Sequence, residues 1–193
     1  MGPRLLSLNI ARAQAVRING RNVMTAIGKR AVAGPIAVTP LGLEGDEQAD
    51  PSVHGGVSKA VYAYPSEHYP FWQTVRAQAR VAPWDDVLPY GFVGENLTLS
   101  GLLESQVWIG DVLRFAHCDL AVSEPRFPCF KFDTTMGFDQ AGKLMAQSGW
   151  CGFYLATRVP GTLSAGERFE VIAGPREVGI DELFRARISR AKG

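Results

Sequence analysis

Apolar residues in this chain occur in short runs separated by glycines, prolines and polar residues, with polar–apolar alternation in places, as suits a β-rich fold with many turns. Strand-like segments fall at residues 4–16, 31–38, 60–64, 96–98, 107–109, 112–123, 153–158 and 168–171. The alternation is plainest at the start of 112–123, with Val112, Arg114 and Ala116 on one face and Leu113, Phe115 and His117 on the other. Gly110-Asp111 ahead of it reads as a tight turn. Three stretches have helical spacing instead. Ser66 is placed to cap a helix over 67–79, with Phe71, Trp72 and Val75 as its apolar stripe. A second is predicted over 138–147, burying Leu144 and Met145. A third, over 180–188, carries Leu183, Phe184 and Ile188 and follows the stop at Gly174-Pro175. The pattern predicts a mainly β, α+β fold: one domain over 1–174 and a helical tail over 175–193.

The 193 residues allow a sizeable core, and 46% hydrophobic with 20% charged residues is ordinary for a globular protein. A net charge of +1 gives no bulk electrostatic drive toward nucleic acid or an anionic membrane. No apolar run approaches the roughly 18 residues of a membrane span, and the first ten residues do not make a signal peptide. Cys118, Cys129 and Cys151 form no CxxC pair, so neither a disulfide framework nor a Cys-rich zinc site is expected. Free thiols point to a reducing compartment, and the expectation is a soluble cytoplasmic protein.

Candidate chemistry centres on Glu124-Pro125-Arg126-Phe127-Pro128-Cys129-Phe130-Lys131. Two prolines fix φ and withhold N–H donors, so this stretch is expected to be a stiff loop. Arg126 and Lys131 favour a thiolate at Cys129, the form that ligates metals and attacks electrophiles. A second group runs from Gly42-Leu43-Glu44-Gly45-Asp46-Glu47-Gln48 to His54-Gly55-Gly56 and Lys59, where glycines allow a ligand to approach the backbone. In Ser66-Glu67-His68-Tyr69, Glu67 and His68 fall in the first turn of a helix, and His68 is a candidate proton donor. Gly94-Glu95-Asn96 places an amide where it can read a heterocycle edge or satisfy loop backbone. Thr25, Lys29 and Arg30 suit anion binding, without P-loop spacing. Rossmann, GxSxG and HExxH patterns are absent.

In order along the chain, these segments resemble the MOSC domain family (molybdenum cofactor sulfurase C-terminal domain), and most closely its YiiM-like branch. The matching pieces are Thr25-Ala26-Ile27 with Lys29, Gly42 to Asp50, His54-Gly55-Gly56, Ala60 to Tyr69, Gly94-Glu95-Asn96-Leu97, and Pro125 to Lys131. The resemblance implies a compact MOSC-type β-barrel with peripheral helices, and a tail shorter than the usual helical extension. It implies a molybdopterin-type molybdenum cofactor, with Cys129 as thiolate ligand to the metal. Thr25, Lys29, Lys59, Asn96, Arg126 and Lys131 would then hold the cofactor, and His54, His68 and Glu67 would stand near the chemistry. The implied activity is two-electron reduction of small N-hydroxylated compounds, by a monomer or homodimer fed by a separate flavoprotein or iron–sulfur reductase. The alternatives are a sulfur carrier with a persulfide on Cys129, or a non-catalytic cofactor-binding module. The family is also associated with pyridoxal phosphate, for which no lysine stands out.

Overall fold

The computed structural model describes residues 2–18, 20–49 and 55–190. Its strands are β1 (Arg4–Ile10), β2 (Gln14–Ile18), β3 (Arg21–Thr25), β4 (Arg30–Ala31), β5 (Ile36–Thr39), β6 (Gly42–Leu43), β7 (Val61–Pro65), β8 (Leu97–Ser100), β9 (Val112–Arg114), β10 (Asp119–Pro125), β11 (Phe153–Val159), β12 (Gly161–Leu163) and β13 (Glu170–Ile172). The helices are α1 (Tyr69–Gln78), α2 (Phe130–Met136), α3 (Ala141–Ser148) and α4 (Ile180–Arg190). Eight strands form one sheet in the order β13-β9-β10-β11-β7-β8-β1-β4. Its pairings are antiparallel except β7 with β8, where Ala63 faces Leu97 in parallel register. Strand β7 lies at the centre and all five of its residues are buried, as suits a short, nearly continuous apolar run covered on both faces.

The class is mainly β, as expected, and the sheet curls toward a barrel without a continuous closing ladder. The sheet curls until the segment before β13 reaches β1, through the bridge Arg4–Arg168 and the hydrogen bonds Leu5 N–H to Glu167 O (2.9 Å) and Gly166 N–H to Leu5 O (2.7 Å). Phe169 N–H to Pro3 O (3.4 Å) extends this seam, and the three residues of β13 itself pair with β9. Short strands explain the departures from the predicted elements. The predicted 4–16 strand breaks after Ile10. There the Ala11 and Ala13 N–H groups turn to the carboxylates of Asp46 and Glu47, each at 2.8 Å. The predicted 31–38 strand breaks at Gly34, whose φ of +80° precedes Pro35. The predicted 112–123 strand turns back at 115–118, closed by Phe115 N–H to Cys118 O at 3.0 Å.

Helix α1 follows a 3-10 turn at Ser66–His68 and buries Tyr69 and Trp72. Helix α3 begins later than expected; Met145 is fully buried and Leu144 half-buried. Helix α2 follows directly on Cys129 and ends at Gly137, whose φ of +84° supplies the left-handed cap. The tail helix α4 buries Ile180 and Phe184 completely, and the Phe184 ring stacks on Phe127 with centroids 5.4 Å apart. It therefore packs against the loop that carries Cys129. Leu5, Leu8, Val61, Ala63, Leu97, Leu99, Leu120, Phe153 and Leu155 fill the core with no measurable exposure. Burial of each large aliphatic or aromatic side chain contributes about 1.5–3 kcal/mol.

Candidate functional site

A cleft opens where the β3 end, the loop after β6, the centre of β7, the turn before β8 and the Cys129 loop converge. It encloses about 660 Å³ of empty space, mouth included. Thr25 and Lys29 come from the β3 end and the turn after it, Asp46 to Ala49 from the loop after β6, and Lys59 and Tyr62 from the approach to β7 and its first residues. Val93, Gly94 and Asn96 lie on the turn, Arg126, Cys129 and Lys131 on the Cys129 loop and the head of α2, and Tyr154 on β11. Gly94 is required here. At φ +97°, a Cβ would sit 2.7 Å from Ile27 Cγ1, so the turn approaches the 25–29 segment only because it lacks a side chain.

Beneath the cleft lies a polar brace. The Asn96 amide oxygen accepts from the Tyr62 N–H (3.1 Å). The Asn96 amide nitrogen donates to the Asn9 carbonyl (3.1 Å) and to Asp46 Oδ2 (2.8 Å). Asp46 Oδ1 accepts from the Ala11 N–H and from Lys29 Nζ, in a close ion pair whose two side chains are more than nine-tenths buried. Burial lowers the Lys29 pKa, and attraction to Asp46 only partly opposes that. Glu95 is fully buried and accepts from Tyr69 OH (2.5 Å), the Gly91 N–H (2.8 Å) and Thr98 OH (2.7 Å). Desolvation raises its carboxyl pKa in spite of these donors.

Arg126 is buried, and its guanidinium lies over the rings of Phe132 (5.0 Å) and Tyr62 (5.3 Å). One of its nitrogens contacts Met145 Sδ at 3.4 Å. Among the described residues it makes no ion pair with a carboxylate. Cys129 is half-buried and occupies the N-cap position of α2. Lys131 Nζ donates to the Met24 carbonyl (2.9 Å), and Lys59 pairs with Glu124 at 3.6 Å. The described lining carries four cations (Lys29, Lys59, Arg126, Lys131) against two carboxylates (Asp46, Glu47), an excess of two positive charges that suits an anionic ligand.

Of the residues singled out from the sequence, Thr25, Lys29, Lys59, Asn96, Arg126, Cys129 and Lys131 meet in this cleft. Asn96 lines it, but all its amide groups are engaged by Tyr62, Asn9 and Asp46, so its role is to brace the floor and not to read a heterocycle. Glu67 and His68 do not line it, which corrects the expectation that they stand near the chemistry. Glu67 is exposed and its carboxylate accepts from the Gly101 N–H (2.6 Å). His68 is buried, bonded to Glu104 (2.8 Å) and stacked on Trp150 with centroids 4.6 Å apart. His54 lies outside the described residues.

Asp46, Tyr62 and Tyr154 are lining residues that sequence reasoning did not single out. Asp46 had a signal in the Gly45-Asp46-Glu47 motif, whereas the two tyrosines look like ordinary strand residues. The other thiols are structural: burial pushes Cys118 up to about 12 and Cys151 well up as well. Among the described residues, no cluster of three or more His, Cys, Asp or Glu side chains stands ready for a bare metal ion. A single soft thiolate suits a metal that arrives with its own organic ligands. Among the described residues, no helix is long and apolar enough to cross a membrane.

The family model described as MOSC domain matches residues 50–170. Protein YiiM of Escherichia coli (strain K12) is 37% identical over 161 residues, covering 82% of this chain and 68% of that protein. A protein named "Reductase" from Gibberella moniliformis (strain M3125 / FGSC 7600) is 30% identical over 188 residues, 95% of this chain but only 32% of the relative. The crystal structure of YiiM from Geobacillus stearothermophilus superimposes with a TM-score of 0.77 at 27% identity, covering 99% of this chain and 86% of that one. The association with pyridoxal phosphate finds no support in the cleft or in these relatives.

Proposed function

Because the chain belongs to the MOSC domain family, YiiM-like branch, we propose that its cleft holds a molybdopterin-type molybdenum cofactor ligated by the Cys129 thiolate, and that it reduces small N-hydroxylated compounds of the hydroxylaminopurine or hydroxylamine type. The observation that carries this reading is the pairing of an accessible thiol with a buried guanidinium that has no carboxylate partner among the described residues. A buried cation left without a counter-ion is costly, and an anionic ligand in the cleft relieves that cost. The relative named "Reductase" supports the reaction class.

The donor set fits such a group. Arg126 would hold an anionic oxygen with charge-assisted hydrogen bonds, its plane fixed by Tyr62 and Phe132. Lys131 already straps α2 to the β3 end through Met24 O and keeps two N–H donors for a ligand. Thr25 is buried at the rim, and its hydroxyl accepts from the Ile27 N–H at 3.3 Å, which fixes the turn beside the cleft. Cys129 would supply one soft anionic ligand from a loop stiffened by Pro125 and Pro128. When bound, the group supplies the two-electron redox chemistry, and the protein supplies orientation and protons. The turn at Gly94 and the wall of Ala26, Ile27 and Val93 give one apolar side against which a flat substrate can lie. Electrons would come from a separate flavoprotein or iron–sulfur partner.

The test is to purify the protein from a host that makes the cofactor, measure molybdenum and pterin, and assay N-hydroxylated substrates with a reduced dye as donor. The expected result is molybdenum and pterin at comparable stoichiometry and turnover to the amine. Protein free of both from such a host refutes the reading. A persulfide mass on Cys129 without molybdenum points to sulfur carriage instead.

A further inference from the structure

Reduction of an N–OH group consumes two protons as well as two electrons, and His68, one of the residues expected to supply them, does not line the cleft. His68 is bonded to Glu104 away from it, and His54 lies outside the described residues. On the reductase reading, we infer that Lys29 is the proton donor to the departing oxygen and that Asp46 is its positioning residue.

The inference rests on what each lining group is already doing. The Lys29 ammonium has three N–H donors and one protein acceptor, Asp46 Oδ1, so two N–H groups remain for whatever occupies the cleft it lines. Asp46 cannot swing away, because the Ala11 N–H holds Oδ1 and the Asn96 amide holds Oδ2. The other proton-bearing groups are less suited. Arg126 keeps its proton at any physiological pH. The Tyr62 hydroxyl donates to the Cys151 carbonyl at 2.8 Å. Lys131 makes its bond to Met24 O in a more solvent-exposed setting than the Lys29–Asp46 pair, and Lys59 is paired with Glu124. The charged groups facing Lys29 are Asp46, from the loop after β6, and Glu95, from the turn before β8. Burial outweighs both of them and makes the ammonium a readier acid than a surface lysine.

The balance is R–NHOH + 2 e⁻ + 2 H⁺ → R–NH₂ + H₂O. The N–O bond breaks and the Lys29 Nζ proton goes to the oxygen, which leaves as water. A second proton from solvent in the open cleft goes to nitrogen, forming the new N–H bond. The two electrons would come from a separate flavoprotein or iron–sulfur donor. Lys29 is then reprotonated from solvent.

Two measurements test this. The first uses the cofactor-free protein and follows acetylation of lysines against pH by mass spectrometry, with exposed Lys143 as internal reference. The Lys29 midpoint is expected below that of Lys143; a midpoint equal to it or above it overturns the inference. The second uses cofactor-loaded protein with Lys29→Arg, which keeps the cation opposite Asp46 but does not release its proton, and Lys29→Met in parallel. Molybdenum and pterin content is expected to stay at the wild-type level in Lys29→Arg. Turnover is expected to fall about 10²–10⁴-fold, the range for loss of a general acid, together with the alkaline limb of the pH profile. Turnover within threefold of wild type in either variant overturns the role of Lys29 and leaves the reductase reading intact. Absence of turnover in loaded wild type overturns both.

Discussion

Replacing Asn96 by Ala tests whether the cleft floor is held by one side chain. The amide ties three segments that are remote in sequence: the Tyr62 N–H on β7, the Asn9 carbonyl on β1 and Asp46 Oδ2 on the loop after β6. Alanine leaves all three partners behind. The Tyr62 N–H is on a fully buried strand and donates to the Asn96 amide oxygen, and an orphaned buried donor costs about 1–3 kcal/mol. Loss of a hydrogen bond to the Asp46 carboxylate adds about 1.5–3 kcal/mol. The Asn9 carbonyl loses least, because a carbonyl has a second lone pair. Losses that share one network do not add in full, so the expected total is about 3–5 kcal/mol, a large part of the roughly 5–15 kcal/mol that holds a typical domain. Urea unfolding followed by tryptophan fluorescence reads this as a lower midpoint with an unchanged slope. A loss below about 1 kcal/mol would refute the reasoning, since that is the size of one ordinary hydrogen bond. Asn96→Asp is the sharper control. It sets a carboxylate against Asp46 Oδ2 at the 2.8 Å contact, so it is expected to be worse than Ala at neutral pH and to recover as acid protonates one of the pair.

Other outcomes follow from the same geometry. Gly94→Ala forces a Cβ to 2.7 Å from Ile27 Cγ1 at a φ of +97°, so a stability loss of about 1–3 kcal/mol and a narrowed cleft with weaker ligand binding are expected by thermal melt and titration. Cys118→Ser and Cys151→Ser are expected to spare activity. In mass-spectrometric alkylation at pH 8, Cys129 is expected to label at least tenfold faster than either buried thiol, whose protonated forms persist. The lowered Lys29 pKa has a pH signature. Between its folded value and its ordinary 10.5 the unfolded chain binds more protons, so its cost to stability is present below that window and relieved as pH rises through it. Unfolding midpoints between pH 8 and 10.5 should therefore favour wild type over Lys29→Met increasingly with pH; a constant difference would contradict the burial argument.

The chemical residues were legible in the sequence where the signal was local. Cys129, with Arg126, Lys131 and two prolines around it, is a complete local statement of a stiff electropositive loop, and the structure brings it to the same cleft as Thr25, Lys29 and Lys59. What was misjudged depended on partners far along the chain. Asn96 looked available because nothing nearby in sequence reveals that residues 9, 46 and 62 consume its amide. His68 looked catalytic because Glu104, which fixes it, lies 36 residues away. Tyr62 and Tyr154 gave no signal, since strand residues do not announce which face meets a cleft. In the fold, the 4–16 and 31–38 runs were read as unbroken because the carboxylates that end β1 sit on a distant loop and because one Gly-Pro step interrupts the second run. Helix α2 was missed because seven residues behind a proline-rich loop are too few to show a period. The barrel implied by the resemblance corresponds to a sheet that curls until residues 166–169 meet residues 3–5.

The central claim is that the Cys129 sulfur is a ligand to molybdenum in this cleft. X-ray absorption at the molybdenum edge, on cofactor-loaded wild type and on Cys129→Ser, tests it directly, because serine is nearly isosteric and the fold should persist. One fewer sulfur scatterer is expected in the variant, with pterin still held by Arg126 and its neighbours. An identical sulfur shell in the two proteins would contradict it.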